Sequence, residues 1–176
     1  MKATIINGGY SLSSRIVGIE QEIIQQLKQQ NIQVQTISVH QLNAQDLLTA
    51  NYKSVELIQA SKLVEESELV FVLTPIFKGS YSGILKTFLD VLPQKALQHK
   101  IVVPVAIGGS IAHLLALEYS LKPVLSILGA TSITNPVYVV DSQVDVKGTT
   151  YTVAQDVKER LAQSIHTISF QQVASL

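Results

Sequence analysis

A chain of 176 residues has room for one domain with a substantial core and too little for two, so residues 1–176 are read as a single domain. Its formal charge is zero and it has no cysteine, which excludes a basic nucleic-acid footprint, disulfides, thiolate nucleophiles and Cys-ligated metals. Charged residues make up 15% and apolar residues 47%, against a usual charged share of about 25%, so part of the apolar surface is expected to be buried between subunits.

Met1-Lys2 leads directly into an apolar strand pattern at Ala3 to Ile6, without the h-region and cleavage site of a signal peptide. No run approaches the roughly 18 apolar residues of a membrane span, and the expected location is the cytoplasm. Gly8 and Gly9 end the first strand. Ile16, Ile19, Ile23 and Leu27 then recur at helical spacing. Ile32 to Gln35 alternates as a half-exposed second strand. Val55 to Val64 reads as an amphipathic helix with Ser54 as N-cap. Leu69 to Leu73 is continuously apolar, as in a strand covered on both faces. Ser82 to Leu92 is a third helix stopped by Pro93. Ile101 to Ile107 is a fourth strand, and Pro104 inside it calls for a bulge or an early strand end. Ile111 to Leu128 is a long helix, apolar nearly all round, which Pro123 should kink or break. Val137 to Val140 is the last strand. Thr152 with Gln155 makes a capping box for a helix through Val157, Leu161, Ile165 and Ile168.

Strand and helix alternate five times, which implies a parallel sheet with right-handed crossovers and helices on both faces. The polar second strand belongs at an edge and the apolar first and third inside. The expected fold is a flavodoxin-like, doubly wound, five-stranded parallel sheet of order 2-1-3-4-5 in a three-layer α/β/α arrangement.

Ligands of such sheets bind beyond the carboxyl ends of the strands, where strand order reverses. Three loops meet there. In the first, Gly8 and Gly9 allow a sharp turn and close backbone approach, Ser11, Ser13 and Ser14 offer hydroxyls, and Arg15 offers a forked cation at a helix N-terminus. Such a loop can hold a phosphate or simply cap its helix. It is neither a Walker motif nor Gly-x-Gly-x-x-Gly. The second loop, Thr74-Pro75-Ile76-Phe77-Lys78, can lie flat against a planar ring or pack on the core, and Lys78 can meet an anion or stay solvated. The third, Gly108-Gly109-Ser110, again permits close approach, with His113 one turn inside the following helix. No histidines stand at metal-ligand spacing, and no triad or paired carboxylates appear in the loops, so neither a metal nor a catalytic side chain is expected.

Several blocks resemble the NADPH-dependent FMN reductase family, and within it the flavin reductases of alkanesulfonate and related organosulfur systems. They are Thr74 to Lys78, Tyr81 to Thr87, Leu89 to Pro93, Gly108 to Ala116 and Leu121 to Ser126. The resemblance spans roughly residues 1–145. It implies FMN as cofactor or substrate, reduction by NADPH or NADH, and delivery of reduced flavin to a partner monooxygenase. Ser14-Arg15 match the family's phosphate-loop Ser-Arg. For such a ligand, Gly8 to Arg15 are expected to hold the phosphate, Pro75 to Lys78 to contact the isoalloxazine and Gly108 to Ser110 to line its other edge, with His113 a candidate flavin contact. Gly9 and Ile16 depart from the family pattern, which usually has hydroxyl residues there, and Phe77 replaces a common tyrosine. The resemblance also implies a dimer or tetramer formed through the Ile111–Leu128 helix, with a π-bulge at Tyr119. Two other readings share the fold: a quinone, azo or metal-ion reductase, and a flavodoxin-type electron carrier.

Overall fold

The computed structural model of the chain describes residues 1–173, with side chains as far as His166. Strand β1 (Lys2–Asn7) leads through the serine loop into helix α1 (Arg15–Gln29). Strand β2 (Gln33–Ser38) is followed by a 3-10 turn at Val39–Gln41 and the short helix α2 (Ala44–Leu48), where the Asn43 side chain accepts from the Asp46 N–H. Helix α3 (Val55–Glu65) starts after Ser54, but the Ser54 side chain does not cap it. Strand β3 (Leu69–Phe77) extends four residues beyond its expected end and folds back as β4 (Ser80–Tyr81). Helix α4 (Gly83–Val91) is capped by the Ser82 hydroxyl, which accepts from the Leu85 N–H.

Strand β5 (Ile101–Gly108) pairs with β3 on one side and with two short strands on the other, β6 (Ser132–Ile133) and β7 (Val137–Val140). All these pairings are parallel. The last position in the sheet is therefore a single strand broken at residues 134–136, and the order is β2-β1-β3-β5-β6/β7. Counted as five positions, this is the flavodoxin-like order 2-1-3-4-5, with two helical layers.

Pro104 neither bulges β5 nor ends it. Its pairing opposite Val72 continues unbroken. The Ile101 N–H points to β3 and the Val102 carbonyl accepts from Thr134 on the other side, so the Pro104 nitrogen faces the β6/β7 side. There β6 has ended and β7 has not begun, so the missing donor falls where no acceptor is paired.

The continuous apolar strands are explained by two cores. Ala3, Ile5, Leu69, Phe71, Leu73, Val103 and Val105 pack under α1 and the C-terminal helix. Ile6, Val70, Val72, Val102 and Ala106 pack under α3 and α4 on the other face. Period-2 alternation therefore sends successive side chains into different cores rather than into core and water.

The long helix expected over Ile111–Leu128 is three pieces. A 3-10 turn covers Ile111–His113, a π-helical stretch covers Leu117–Leu121, and α5 (Lys122–Ile127) follows. Tyr119 lies in the π stretch, as expected. In a regular α-helix the Pro123 ring would collide with the Tyr119 carbonyl, and the wider π turn relieves that clash without ending the helix.

After β7 comes a 3-10 turn at Asp141–Gln143 and an unanticipated hairpin, β8 (Val144–Lys147) and β9 (Thr150–Val153). Helix α6 (Gln155–Val173) is the last described element. The expected capping box is not formed: Thr152 is in β9, and Gln155 donates to Glu159 instead. Val157, Leu161 and Ile165 enter the core as expected, while Ile168 lies outside the described side chains. Among the described residues no helix is long and apolar enough to cross a membrane.

A candidate nucleotide cleft at the carboxyl edge of the sheet

A cleft of about 440 Å³ opens beyond the carboxyl ends of β1, β3, β5 and β7, within the size range of small-ligand sites. It is built from the three expected loops, the first two of which are tied to each other through buried groups. The Gly8 N–H donates to the Leu73 carbonyl at 2.8 Å, and the Ser82 hydroxyl donates to the Gly8 carbonyl at 2.6 Å. The Ser82 N–H donates to Thr74 Oγ1, which in turn donates to the Pro75 carbonyl. Thr74 and Ser82 have no exposed surface. They lock the first loop to the second rather than facing a ligand.

The first loop is shaped by its own side chains. Asn7 Oδ1 accepts from the Gly9 N–H at 2.8 Å, and Asn7 Nδ2 donates to Glu20 of α1. Ser11 Oγ accepts from the Ser13 N–H and lies 2.8 Å from Ser13 Oγ. Ser14 Oγ donates to the Ser11 carbonyl and so does not cap α1. This leaves the positive end of a 15-residue helix facing the loop without a side-chain cap. Arg15 is anchored by its Nε, which donates to the Val144 carbonyl of β8 at 3.0 Å, and its terminal nitrogens have no partner among the described residues.

The glycines act differently from expectation. Neither Gly8 nor Gly9 adopts positive φ. A Cβ on Gly8 would meet Leu85 Cβ at 2.7 Å, and one on Gly9 would meet Ile16 Cγ2 at 2.7 Å. Both are required by packing. A Cβ on Gly108 would run into the Tyr138 hydroxyl, which donates to the Ser110 carbonyl at 2.8 Å and fixes the third loop. Burial, and secondarily the charge of Asp141, pushes the Tyr138 phenol above its ordinary range and keeps it a donor. Gly109 is the exception: a Cβ there would have only Asp141 Oδ2 nearby, at 3.8 Å. No packing demand explains Gly109, but the open cleft does.

In the second loop, Lys78 and Gly79 turn β3 into β4 with φ of 51° and 78°, the backbone of a two-residue type I′ hairpin. This presents Phe77, 53% exposed, beside Tyr10, 51% exposed, with ring centroids 5.4 Å apart. Two half-exposed aromatic rings at a cleft mouth are a stacking surface for a planar ligand.

Of the expected residues, Gly9, Ser11, Ser13, Ser14, Arg15, Pro75, Ile76, Phe77, Gly108 and Gly109 line the cleft. Gly8, Thr74, Lys78, Ser110 and His113 do not. Gly8, Thr74 and Ser110 hold loops in place, Lys78 is at the hairpin tip, and His113 is exposed in the 3-10 turn rather than one turn inside a helix. Tyr10, Ile16, Ile107, Asp141 and Val146 line it unanticipated. The alternation Val144-Asp145-Val146 was the available signal for the last of these.

A larger hollow of about 560 Å³ between α3 and the end of α4 is lined by Leu57, Ile58, Asp90 and Pro93. It has neither a glycine loop nor a helix N-terminus and is not where this chemistry sits. The donor set of the edge cleft, with hydroxyls, an uncapped helix and Arg15 beside apolar and aromatic walls, fits a phosphate ester carrying a planar ring.

A family model described as NADPH-dependent FMN reductase matches residues 1–145. An FMN reductase (NADPH) of Pseudomonas putida is 42% identical over 169 residues, covering 95% of this chain and 86% of that protein. The apo form of an NADH:FMN oxidoreductase, EMOB, superposes with a TM-score of 0.84 at 32% identity, covering 97% of this chain and 89% of that one. An archaeal flavodoxin, 13% identical with a TM-score of 0.58, shares the fold.

Proposed function

The chain belongs to the NADPH-dependent FMN reductase family, and from that premise we propose that it transfers hydride from NADPH or NADH to FMN as one catalytic unit over residues 1–176. When bound, the nicotinamide supplies the hydride and the flavin accepts it. The protein binds, orients and excludes water. The observation that supports this most directly is the convergence of the three loops on one cleft at the reversal of strand order.

Each wall has a task. Ser11, Ser13, Ser14 and Arg15, with the N-terminus of α1, hold the flavin phosphate. Pro75 to Phe77 contact the isoalloxazine, with Tyr10 extending the aromatic surface. Gly108 and Gly109 line the other edge. Lys78, Ser110 and His113 stand outside the cleft lining and take no part in holding the flavin. No acid, base or nucleophile is required, because hydride transfer needs the two rings stacked with reacting atoms about 3–3.5 Å apart. The reduced flavin then serves a partner monooxygenase, in organosulfur metabolism, and the place for such an enzyme is the cytoplasm.

Steady-state NADPH oxidation with FMN, FAD and riboflavin in parallel tests the reading. FMN is expected to be preferred over riboflavin, and Arg15→Ala to lose about tenfold of that preference, the value of one charge-assisted hydrogen bond. A quinone reductase would oxidise NADPH rapidly with quinone and not with free FMN. An electron carrier would not oxidise NADPH directly.

A further inference from the structure

Among the described residues Asp141 is the one carboxylate lining the cleft. It sits at the carboxyl end of β7, half-buried, with Oδ2 3.8 Å from the position a Gly109 Cβ would take. Among the described residues it takes part in no ion pair and accepts no hydrogen bond. Arg15, the cation of the same cleft, is drawn toward β8 through Nε. A cleft that receives two phosphorylated nucleotides has no electrostatic reason to hold an unneutralised carboxylate for binding alone, since it repels both.

Electron counting supplies a reason. Oxidised isoalloxazine is neutral. Hydride brings two electrons and one proton, NADPH leaves as NADP⁺, and the reduced ring carries one negative charge until a proton arrives from water. A fixed negative charge beside the ring therefore discriminates against product while leaving the uncharged substrate ring almost unaffected.

We propose that Asp141 is a release residue, which weakens binding of reduced FMN relative to oxidised FMN and so favours hand-off over retention. This rests on the FMN reductase reading. The carboxylate acts through space on the charge of the ring and takes no part in bond making.

The experiment compares wild type with Asp141→Asn and Asp141→Ala. Binding of FMN and riboflavin is measured by flavin fluorescence, and binding of dithionite-reduced FMN by anaerobic equilibrium dialysis. Both variants are expected to bind reduced FMN about tenfold more tightly relative to oxidised FMN, which raises the two-electron potential of the bound flavin by about 30 mV. Asp141→Glu is expected to retain the wild-type ratio. The gap between wild type and Asp141→Asn is expected to shrink as salt is raised.

Three results would overturn the proposal. Equal tightening of oxidised and reduced FMN, without change for riboflavin, would mean that Asp141 faces the phosphate. Weakening of all three ligands would mean that it accepts hydrogen bonds from the ribityl hydroxyls. An unchanged ratio would mean that the carboxylate is too distant to act. Failure of wild type to bind FMN at all would remove the flavin reading, and the proposal with it.

Discussion

Gly9 and Ile16 form a pair across the mouth of the first loop, because the Ile16 γ2-methyl stands 2.7 Å from where a Gly9 Cβ would be. Both positions stand out in the sequence as departures from the family's hydroxyl pattern. Their compensation was not legible there, since nothing in a linear spacing of seven says that two side chains compete for one volume. Gly9→Ser is expected to destabilise by about 1–3 kcal/mol through overpacking. In an Ile16→Ala background, which lacks the γ2-methyl, Gly9→Ser is expected to cost less than in wild type, a non-additivity measurable by urea denaturation of the single and double variants. A second residue-scale effect concerns pH. The Lys2 N–H donates to Glu68 Oε2 at 2.6 Å and holds the Glu68 carboxyl below its ordinary value, against a smaller opposing effect of burial. Its stabilisation is complete above the unfolded-state value of about 4.3 and is lost as pH falls through the lowered folded value. Glu68→Gln should therefore be less stable than wild type at pH 7, and the gap should close under acid conditions in parallel melts.

Among the elements, those with strong periodicity were readable and those defined by their neighbours were not. The continuous apolar runs of β3 and β5 announced strands covered on both faces, and the two cores bear this out. Pro104 looked like a defect because the sequence does not show that the adjoining strand is interrupted at residues 134–136. The segmentation of 111–128 was half readable: Pro123 signalled a break, but the π turn that accommodates it keeps the chain helical. The β8–β9 hairpin was missed entirely, being short and mostly exposed. It nonetheless braces the first loop, through Arg15 Nε on the Val144 carbonyl and through the Tyr151 hydroxyl, which donates to the Leu12 carbonyl at 3.2 Å. Gly18 is what admits the hairpin, since a Cβ there would meet Tyr151 Cβ at 2.7 Å. Alanine raises helix propensity by about 1 kcal/mol over glycine, but the backbone-proximal clash is the larger effect. Gly18→Ala is therefore expected to lower stability, by about 1–2 kcal/mol net, and to weaken FMN binding more than riboflavin binding in the same fluorescence titrations.

At the scale of the whole molecule, the shortage of charge in the composition has a visible counterpart. Ile111, Leu114, Leu115, Tyr119 and Ile127 are exposed on the segment from the third loop through α5, the last two at 77% and 82%. Isolated exposed hydrophobes need no explanation, but five on one segment call for a cover. A second copy of the chain is expected there, and Tyr119→Ser with Ile127→Glu should shift the protein to a smaller species in size-exclusion chromatography with light scattering. Composition pointed to an excess of apolar surface, and the topology told where the cleft would open. Which residues face that cleft depended on the loops' mutual ties, which only the folded chain displays. The broken last strand has one more effect. An outer sheet margin made of segments of two and four residues, with Pro136 in the gap between them, offers a stray extended chain no continuous row of amide partners. The sheet is thereby closed to growth at that end, which protects a refolding chain rich in apolar strands from templating cross-β aggregates.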